Sequence, residues 1–128
     1  MDEDTLLHRQ VHPGWIIGNT ISIQAFSSQT FKPTPKDKGL LSVYNGNKFA
    51  AYEAFEHYSN QGLKSVGVVA VTPAECKTVP VPVVEDNEPF DGHCSIDYRG
   101  LSGNRVKKAA SILKSFAQER GWQYLQES

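Results

Sequence analysis

Apolar and polar residues along the chain are arranged in short runs that predict β-strands. Residues 64–71 are almost all apolar over a strand's length, which is typical of a strand buried on both faces. Residues 93–98 alternate instead, which predicts a strand with one buried and one polar face. The buried face would carry Cys94, Ile96 and Tyr98, and the polar face His93, Ser95 and Asp97. Apolar runs at 6–11 and 39–44 predict two further strands.

Helical spacing of apolar residues is clearest near the end of the chain. Within 104–120 apolar side chains recur every three or four positions, and Gly121 is typical of a helix end. A second helix is predicted over 48–60, with Asn47 as its N-cap. A last short strand is predicted at 122–125.

The remaining segments are rich in turn residues and prolines. Residues 15–23 contain two β-branched runs around a Gly-Asn pair, which predicts a β-hairpin. Residues 27–38 are polar and aperiodic, which predicts a long loop. Thr72 and Pro73 are typical of the start of a short helix. Two prolines within 79–84 remove backbone donors, so this segment is predicted to be an edge strand.

Length and composition agree with an ordinary globular domain. The chain has 128 residues, of which 39% are hydrophobic and 21% charged, and such a chain buries about two-thirds of its unfolded surface. The pattern predicts a single α+β domain over 1–128, with 1–5 as a frayed acidic leader. We expect a twisted, mixed or mostly antiparallel sheet with two main helices, at about 48–60 and 104–120.

Charge and cysteine content exclude several classes of protein. The 13 Lys and Arg residues against 14 Asp and Glu give a formal net charge of -1, which argues against broad binding to nucleic acid or anionic membranes. No apolar run approaches the roughly 20 residues that span a bilayer, and the acidic start is unlike a secretory signal. Cys76 and Cys94 are too few for a disulfide framework. We therefore predict a cytoplasmic protein with buried thiols and no metal.

Four polar residues predict a binding or catalytic site. Arg9 offers a planar fork for phosphate or carboxylate, Ser42 and Tyr44 offer hydroxyls, and Glu53 offers a carboxylate that orients a hydroxyl or acts as a base. They fall on two predicted strands and the following helix, so a sheet could gather them. The structural alternative is an Arg on a sheet edge, a Ser within a strand and a Glu on a solvated helix.

The histidines are further candidates, since imidazole titrates near neutral pH. His93 shares its predicted polar face with Ser95 and follows Asp91 closely. His8 and His12 would lie about 13 Å apart in a strand, too far to share a metal ion.

The residues that lead into the last helix favour an anion-binding site. Ser102 and Gly103 lead into Arg105 and Lys107, and cations at a helix N-terminus are unfavourable unless an anion is present. A solvated basic face is the alternative. The acidic segment 85–88 lacks the spacing of a calcium loop and is interpreted as a solvated turn.

Four sequence blocks resemble a family of small bacterial proteins. The blocks are Arg9 to Trp15 (RQVHPGW), Gln24 to Phe26 (QAF), Lys36 to Tyr44 (KDKGLLSVY) and Pro89 to His93 (PFDGH). The resemblance implies a compact bacterial cytosolic domain and no particular activity.

The order of polar residues also resembles the layout of Arg-Glu-Ser toxin domains, relatives of ADP-ribosyltransferases that consume NAD. That resemblance implies that Arg9 holds the phosphates of NAD, Tyr44 stacks near the nicotinamide and Glu53 orients the ribose. Ser42 lies on the same strand as Tyr44, and Ser95 matches the late serine of the family. The glycine-arginine-tryptophan stretch of those toxins is absent here.

Two kinds of function follow, and the sequence leaves open whether the chain is an enzyme. The first is an NAD- or nucleotide-handling domain of the ADP-ribosyltransferase type, from a bacterial toxin or phage-defence system, with the loop 27–38 as a lid. The alternative is a non-catalytic antitoxin, immunity or accessory domain that binds a protein partner from the same locus. A third class is a metal-free nuclease that uses His12 and His93 as acid and base.

Overall fold

The computed structural model describes residues 1–16 and 26–126. The strands are β1 (Leu7–Val11), β2 (Leu40–Asn45), β3 (Gly67–Val71), β4 (Val83–Val84), β5 (His93–Asp97) and β6 (Tyr124–Leu125). The helices are α1 (Ala51–Ser59), α2 (Pro73–Lys77) and α3 (Gly103–Arg120). None of the helices in the described ranges is long and apolar enough to cross a bilayer. Most of the hairpin predicted at 15–23 lies outside the described residues.

The strands form one sheet in the order β4-β5-β2-β1-β3-β6, and every described pair is antiparallel. This architecture confirms the predicted α+β class. Strand β1 pairs with β3 along all five of its residues, but with β2 only through Leu7 and His8. Strands β1 and β2 therefore diverge beyond His8, at the position of Arg9.

One face of the sheet forms the main apolar core beneath α3. Alternate residues of the strands point towards it, and α3 contributes a buried stripe: Ala109, Ala110, Leu113 and Ala117. Ser102 caps α3 by accepting a hydrogen bond from the Arg105 N–H at 3.4 Å, and Gly121, with φ of 90°, ends it. Alternation alone explains why the predicted apolar face of β5 is buried here.

The opposite face of the sheet is more polar and only partly covered. Helix α1 packs over β1 and β3, where the Gln10 side chain donates to the Ala54 carbonyl at 2.9 Å and accepts from the Ser65 hydroxyl at 2.7 Å. The polar residues of β2 and β5 lie beside α1 instead. The short helix therefore leaves a hollow on this half of the sheet.

Helix α1 begins at Ala51, three residues later than predicted, and Asn47 does not cap it. Residues 45–48 instead form a turn in which the Asn45 side chain accepts from the Asn47 N–H at 2.8 Å. Glu53 accepts a hydrogen bond from the Ala50 N–H at 2.8 Å and so stabilises the first turn of α1.

The loop 27–38 is not a lid. Thr30 and Phe31 lie within the core, fully removed from solvent, and the Tyr98 hydroxyl donates to the Phe31 carbonyl. Two single 3-10 turns, Ser28–Phe31 and Pro35–Asp37, give the loop its local structure. Burial of Phe31, an apolar residue within this polar segment, therefore fixes the loop to the core.

The first residues, predicted to be frayed, form a turn against α2. Thr5 is buried, the Ala74 N–H donates to the Glu3 carbonyl at 3.1 Å, and Glu3 pairs with Lys77. Contacts with a helix far along the chain therefore hold this segment in place.

Candidate functional site

A cavity of about 170 Å³ opens on the hollow half of the sheet. It lies between the end of α1, strands β2 and β5, and the loop 85–92. Its lining includes Arg9, Ser42, Tyr44, Tyr58, Phe90 and His93. The sheet therefore gathers four of the residues that the sequence analysis selected as candidates.

Strand register explains how Ser42, Tyr44 and His93 meet. Ser42 and Tyr44 are two residues apart on β2, so their side chains share one face. Tyr44 pairs with His93 across β5, and Ser42 pairs with Ser95. Cross-strand neighbours on one face of a sheet approach closely enough for direct contact. The side chains of Ser42, Tyr44, His93 and Ser95 therefore lie on the same small surface.

A continuous hydrogen-bonded path joins Ser42, His93 and Asp86. His93 Nε2 lies 3.1 Å from Ser42 Oγ, and His93 Nδ1 lies 2.6 Å from Asp86 Oδ1. Ser42 is exposed at the cavity, whereas His93 is only 8% exposed. An accessible hydroxyl, an imidazole and a carboxylate in this order are the components of a serine-histidine-aspartate triad.

The proton positions along this path follow from Asp86. An ionised carboxylate only accepts hydrogen bonds, so the ring proton of neutral His93 lies on Nδ1 and faces Asp86. Nε2 is then free to accept the Ser42 proton. Partial burial raises the pKa of Asp86, but hydrogen bonds from His93 and Ser95 outweigh this effect and hold that pKa below its ordinary value. Asp86 therefore remains ionised at neutral pH.

The hairpin of β4 and β5 places Asp86 opposite His93. Val84 pairs with Ser95, so the same register continued two residues further brings Asp86 beside His93. The Ser95 hydroxyl donates to Asp86 Oδ2 at 2.6 Å and fixes the other carboxylate oxygen. Gly92, with φ of 97°, closes the loop where a Cβ would lie only 2.6 Å from the Phe49 ring. The conformation of residues 85–92 therefore allows Asp86 to approach His93.

Tyr44 forms an aromatic wall of the cavity. Its ring lies 5.0 Å from Phe49 and 5.1 Å from Phe90, between ring centroids, and its hydroxyl is 2.9 Å from His57 Nδ1. Burial raises the pKa of Tyr44 to about 12. The phenol therefore stays protonated at neutral pH and remains a hydrogen-bond donor.

Arg9 reaches the cavity through the divergence of β1 and β2. Its Nε donates to the Thr30 carbonyl at 2.7 Å and its Nη1 to the Ser42 carbonyl at 2.8 Å. The guanidinium also lies 5.4 Å from the centre of the Trp15 ring, a cation–π contact. These contacts bring its positive charge next to the residue that carries the exposed hydroxyl.

Glu53 does not belong to this cavity. It is exposed, and its carboxylate bonds the Ala50 N–H at the start of α1. The grouping of Arg9, Tyr44 and Glu53 expected from the sequence is therefore incorrect in its third member. Glu53 is instead three residues into a helix start, where a carboxylate commonly stabilises the first turn.

The predicted anion residues also lie elsewhere. Ser102, Gly103, Arg105 and Lys107 are exposed at the start of α3, and the Ser102 hydroxyl serves as the helix cap. Ser102 thus has a structural role that accounts for its position.

His8 and His12 do not join His93. His12 is exposed, and its Nδ1 accepts from the Gly14 N–H at 2.9 Å. His8 is buried, which lowers its pKa, and its Nδ1 has no hydrogen-bond partner among the described residues. Within 1–16 and 26–126, no group of three or more His, Cys, Asp or Glu side chains could hold a metal ion.

A larger cavity of about 560 Å³ lies at the β4 edge, bordered by Met1, Pro80 and Val83. Of the charged side chains on its border, Glu3 and Lys77 pair with each other, and Asp2 and Glu85 are the others. Cys76, in the adjacent helix, is buried, which raises the pKa of its thiol to about 12 and leaves it unreactive. The smaller cavity is therefore the better candidate for chemistry.

The sequence placed Asp86 in a solvated turn and indicated Asp91 as the acidic neighbour of His93. Asp91 instead bonds Lys48 at 2.5 Å. The register of β4 against β5 contains the missing information. Because residues 85–92 join these two strands, Asp86 and not Asp91 lies opposite His93. Recognising it required knowing which residues of the proline-containing edge strand pair with β5.

Comparisons with known proteins add no name to this site. No protein-family model matches the chain, and no curated protein or solved structure matches it significantly.

Proposed function

We propose that this protein is a serine-dependent acyl hydrolase that acts on a small ester or thioester. The single observation that supports this proposal is the path from the exposed Ser42 hydroxyl through His93 to the ionised Asp86, with contacts of 3.1 and 2.6 Å. Both distances fall in the range required for proton transfer between a nucleophile, its base and the group that orients the base.

The geometry assigns one step to each residue. Ser42 Oγ attacks the carbonyl carbon of the substrate while its proton passes to His93 Nε2. The bond to the leaving alkoxide or thiolate then breaks, and His93 gives the proton to that group. Water attacks the acyl-serine, passes its proton to His93 and releases the acid, and Ser42 regains a proton. Asp86 stays ionised and stabilises the imidazolium in both halves of the reaction.

Tyr44 lies two residues from Ser42 on the same face of β2 and carries a hydroxyl donor. Because the pKa of Tyr44 is raised to about 12, its hydroxyl keeps its proton at neutral pH. We propose that this hydroxyl turns from His57 Nδ1, 2.9 Å away, and donates to the oxygen on which negative charge develops, a stabilisation worth about 10²–10³ in rate in other acyl-transfer sites.

The volume of the cavity favours a small substrate over a dinucleotide. About 170 Å³ holds about six water molecules, whereas cavities for drug-sized ligands begin near 300 Å³. The ADP-ribosyltransferase hypothesis stays a prediction, since Arg9, Ser42 and Tyr44 do line one cavity. It lacks the carboxylate of Glu53 there, so the acyl hydrolase fits the observed groups better.

An active-site probe provides the test. A biotinylated fluorophosphonate reacts with serines activated by a neighbouring base, and mass spectrometry identifies the labelled peptide. We expect the label on Ser42, complete loss in Ser42→Ala, and at least 100-fold slower labelling in His93→Gln.

Ser111→Ala is the matched control, because Ser111 is an exposed serine on α3, remote from the cavity lining. It should be labelled at Ser42 like the parent protein. Absence of labelling in folded parent protein, or unchanged labelling of Ser42→Ala, would contradict the proposal. Release of nicotinamide from NAD under the same conditions would support the ADP-ribosyltransferase hypothesis instead.

A further inference from the structure

Arg9 is a partly buried cation on the lining of the cavity. Among the described residues no Asp or Glu oxygen lies within 4.0 Å of its guanidinium, and Asp37 acts on it only through longer-range attraction. Of the residues outside the described ranges, 17–25 contain no Asp or Glu and 127–128 contain Glu127. Partial burial of a cation is costly unless an anion compensates it, so an anionic group bound at Arg9 would be stabilised.

The guanidinium also retains hydrogen-bonding capacity. Arginine has five N–H donors, and the contacts with the Thr30 and Ser42 carbonyls use two of them. Both carbonyls are neutral dipoles, whereas a carboxylate accepts two parallel N–H bonds from one guanidinium. Trp15 stacks against Arg9 and the backbone contacts hold it, so its orientation is fixed in advance.

The position of Arg9 relates this charge to the reaction. Its Nη1 lies 2.8 Å from the carbonyl oxygen of Ser42, the residue that bears the nucleophile. Arg9 and Ser42 line the same cavity of about 170 Å³. Only a few carbon atoms can therefore separate a group bound to Arg9 from a carbonyl at Ser42.

We propose that Arg9 is a specificity-determining residue that binds a carboxylate on the acyl group of the substrate. The substrate class is then the monoester or monothioester of a short dicarboxylic acid, with about four carbons in the acid. This inference rests on the proposed acyl hydrolase activity, and it goes further by naming the acid that the cavity selects.

Two esters of equal acyl carbon number test this selection. The mono-p-nitrophenyl ester of succinic acid carries the carboxylate, and p-nitrophenyl butyrate has a methyl group in its place. After correction for spontaneous hydrolysis, kcat/KM should be about 10- to 100-fold higher for the succinate ester. In Arg9→Gln this ratio should fall to about one, whereas Arg105→Gln, a change to an exposed arginine on α3, should keep it.

Binding of succinate to Ser42→Ala protein gives a readout that needs no catalysis and tolerates a poorly folding Arg9 variant. Because Trp15 lies against Arg9, saturable succinate binding should change the tryptophan fluorescence. The change should be lost in Trp15→Phe, and succinamide should not produce it.

The two proposals fail in distinguishable ways. Ser42 labelling with equal kcat/KM for both esters, and no succinate binding, would overturn the role of Arg9 alone. Succinate binding that depends on Trp15 and Arg9, without any labelling of Ser42, would overturn the hydrolase and leave the carboxylate site standing.

Discussion

The two faces of the sheet are built from alternate residues of the same strands, yet they differ in what covers them. On one face, Leu41, Val43, Cys94 and Ile96 belong to the same apolar core as the buried residues of α3 and are removed from solvent. On the other, Asp86 and His93 link Ser95 to Ser42 through side-chain hydrogen bonds, and Tyr44 bonds His57 of α1. Helix α3 has 18 residues and α1 has 9, so the shorter helix leaves part of its face uncovered.

The two faces therefore have different roles: one stabilises the fold and the other carries the candidate site. The α3 face removes apolar area from water and dominates the folding free energy. The polar residues of the other face cost desolvation, which their mutual hydrogen bonds offset. A rigid, closed face thus holds the strands at the register that aligns Asp86, His93 and Ser42 on the open one.

The largest expected effect concerns Asp86 on the open face. In Asp86→Asn the amide can donate to His93 Nδ1, which moves the ring proton to Nε2 and removes the acceptor for Ser42. We expect labelling of Ser42 by the fluorophosphonate to slow by about 10²- to 10⁴-fold. Asp97→Asn is the control, since Asp97 pairs with Arg99 instead. An Asp86→Asn rate within threefold of the parent would contradict the triad.

Truncation on the closed face should affect folding instead. Leu113 is fully buried beneath the sheet, so Leu113→Ala should lower the free energy of unfolding by about 2–5 kcal/mol in urea titrations. Ser42→Ala, at an exposed position on the opposite face, should change it by no more than about 0.5 kcal/mol. Equal losses for the two variants would abolish the distinction between the faces.

The smallest effect is expected in alkaline solution at Tyr44. Its pKa is raised to about 12, above the ordinary value of about 10 that it has in the unfolded chain. The folded state therefore favours the neutral phenol, and this stabilisation is complete below pH 10 and is lost as the pH rises towards 12. The parent should lose up to about 2 kcal/mol more than Tyr44→Phe between pH 9 and 11.5. Parallel losses, measured by urea titration, would contradict the buried phenol.

Local patterns predicted most of the secondary structure. The alternation in 93–98, the apolar run before Val71 and the periodic stripe of α3 each depend on neighbouring residues, and each was confirmed. The predicted start of α1 was wrong, because the turn at 45–48 is held by a contact remote in the chain, in which the Gly46 N–H donates to the carbonyl of Leu6, just before β1, at 2.7 Å. Such contacts carry no signal in the adjacent sequence.

The site was predicted in part for the same reason. Ser42 and Tyr44 share a strand face by period alone, and the pattern of β5 placed His93 on a polar face. The contact between His93 and Asp86 depends on strand register. The hydrogen bond from the Ala50 N–H to Glu53 depends on the turn that precedes α1. A carboxylate looks the same in a sequence whether it caps a helix, binds a lysine or orients a histidine.

The amino-acid sequence by itself determined the strands, the long helix and which residues alternate between the two faces, because these follow from the periods of backbone geometry. Only the tertiary structure decided that β1 and β2 diverge to admit Arg9 and that the β4–β5 hairpin brings Asp86 to His93. Distances across a sheet depend on pairing between segments that are remote in the chain. Chemistry at this cavity requires contacts near 3 Å, and only that pairing sets them.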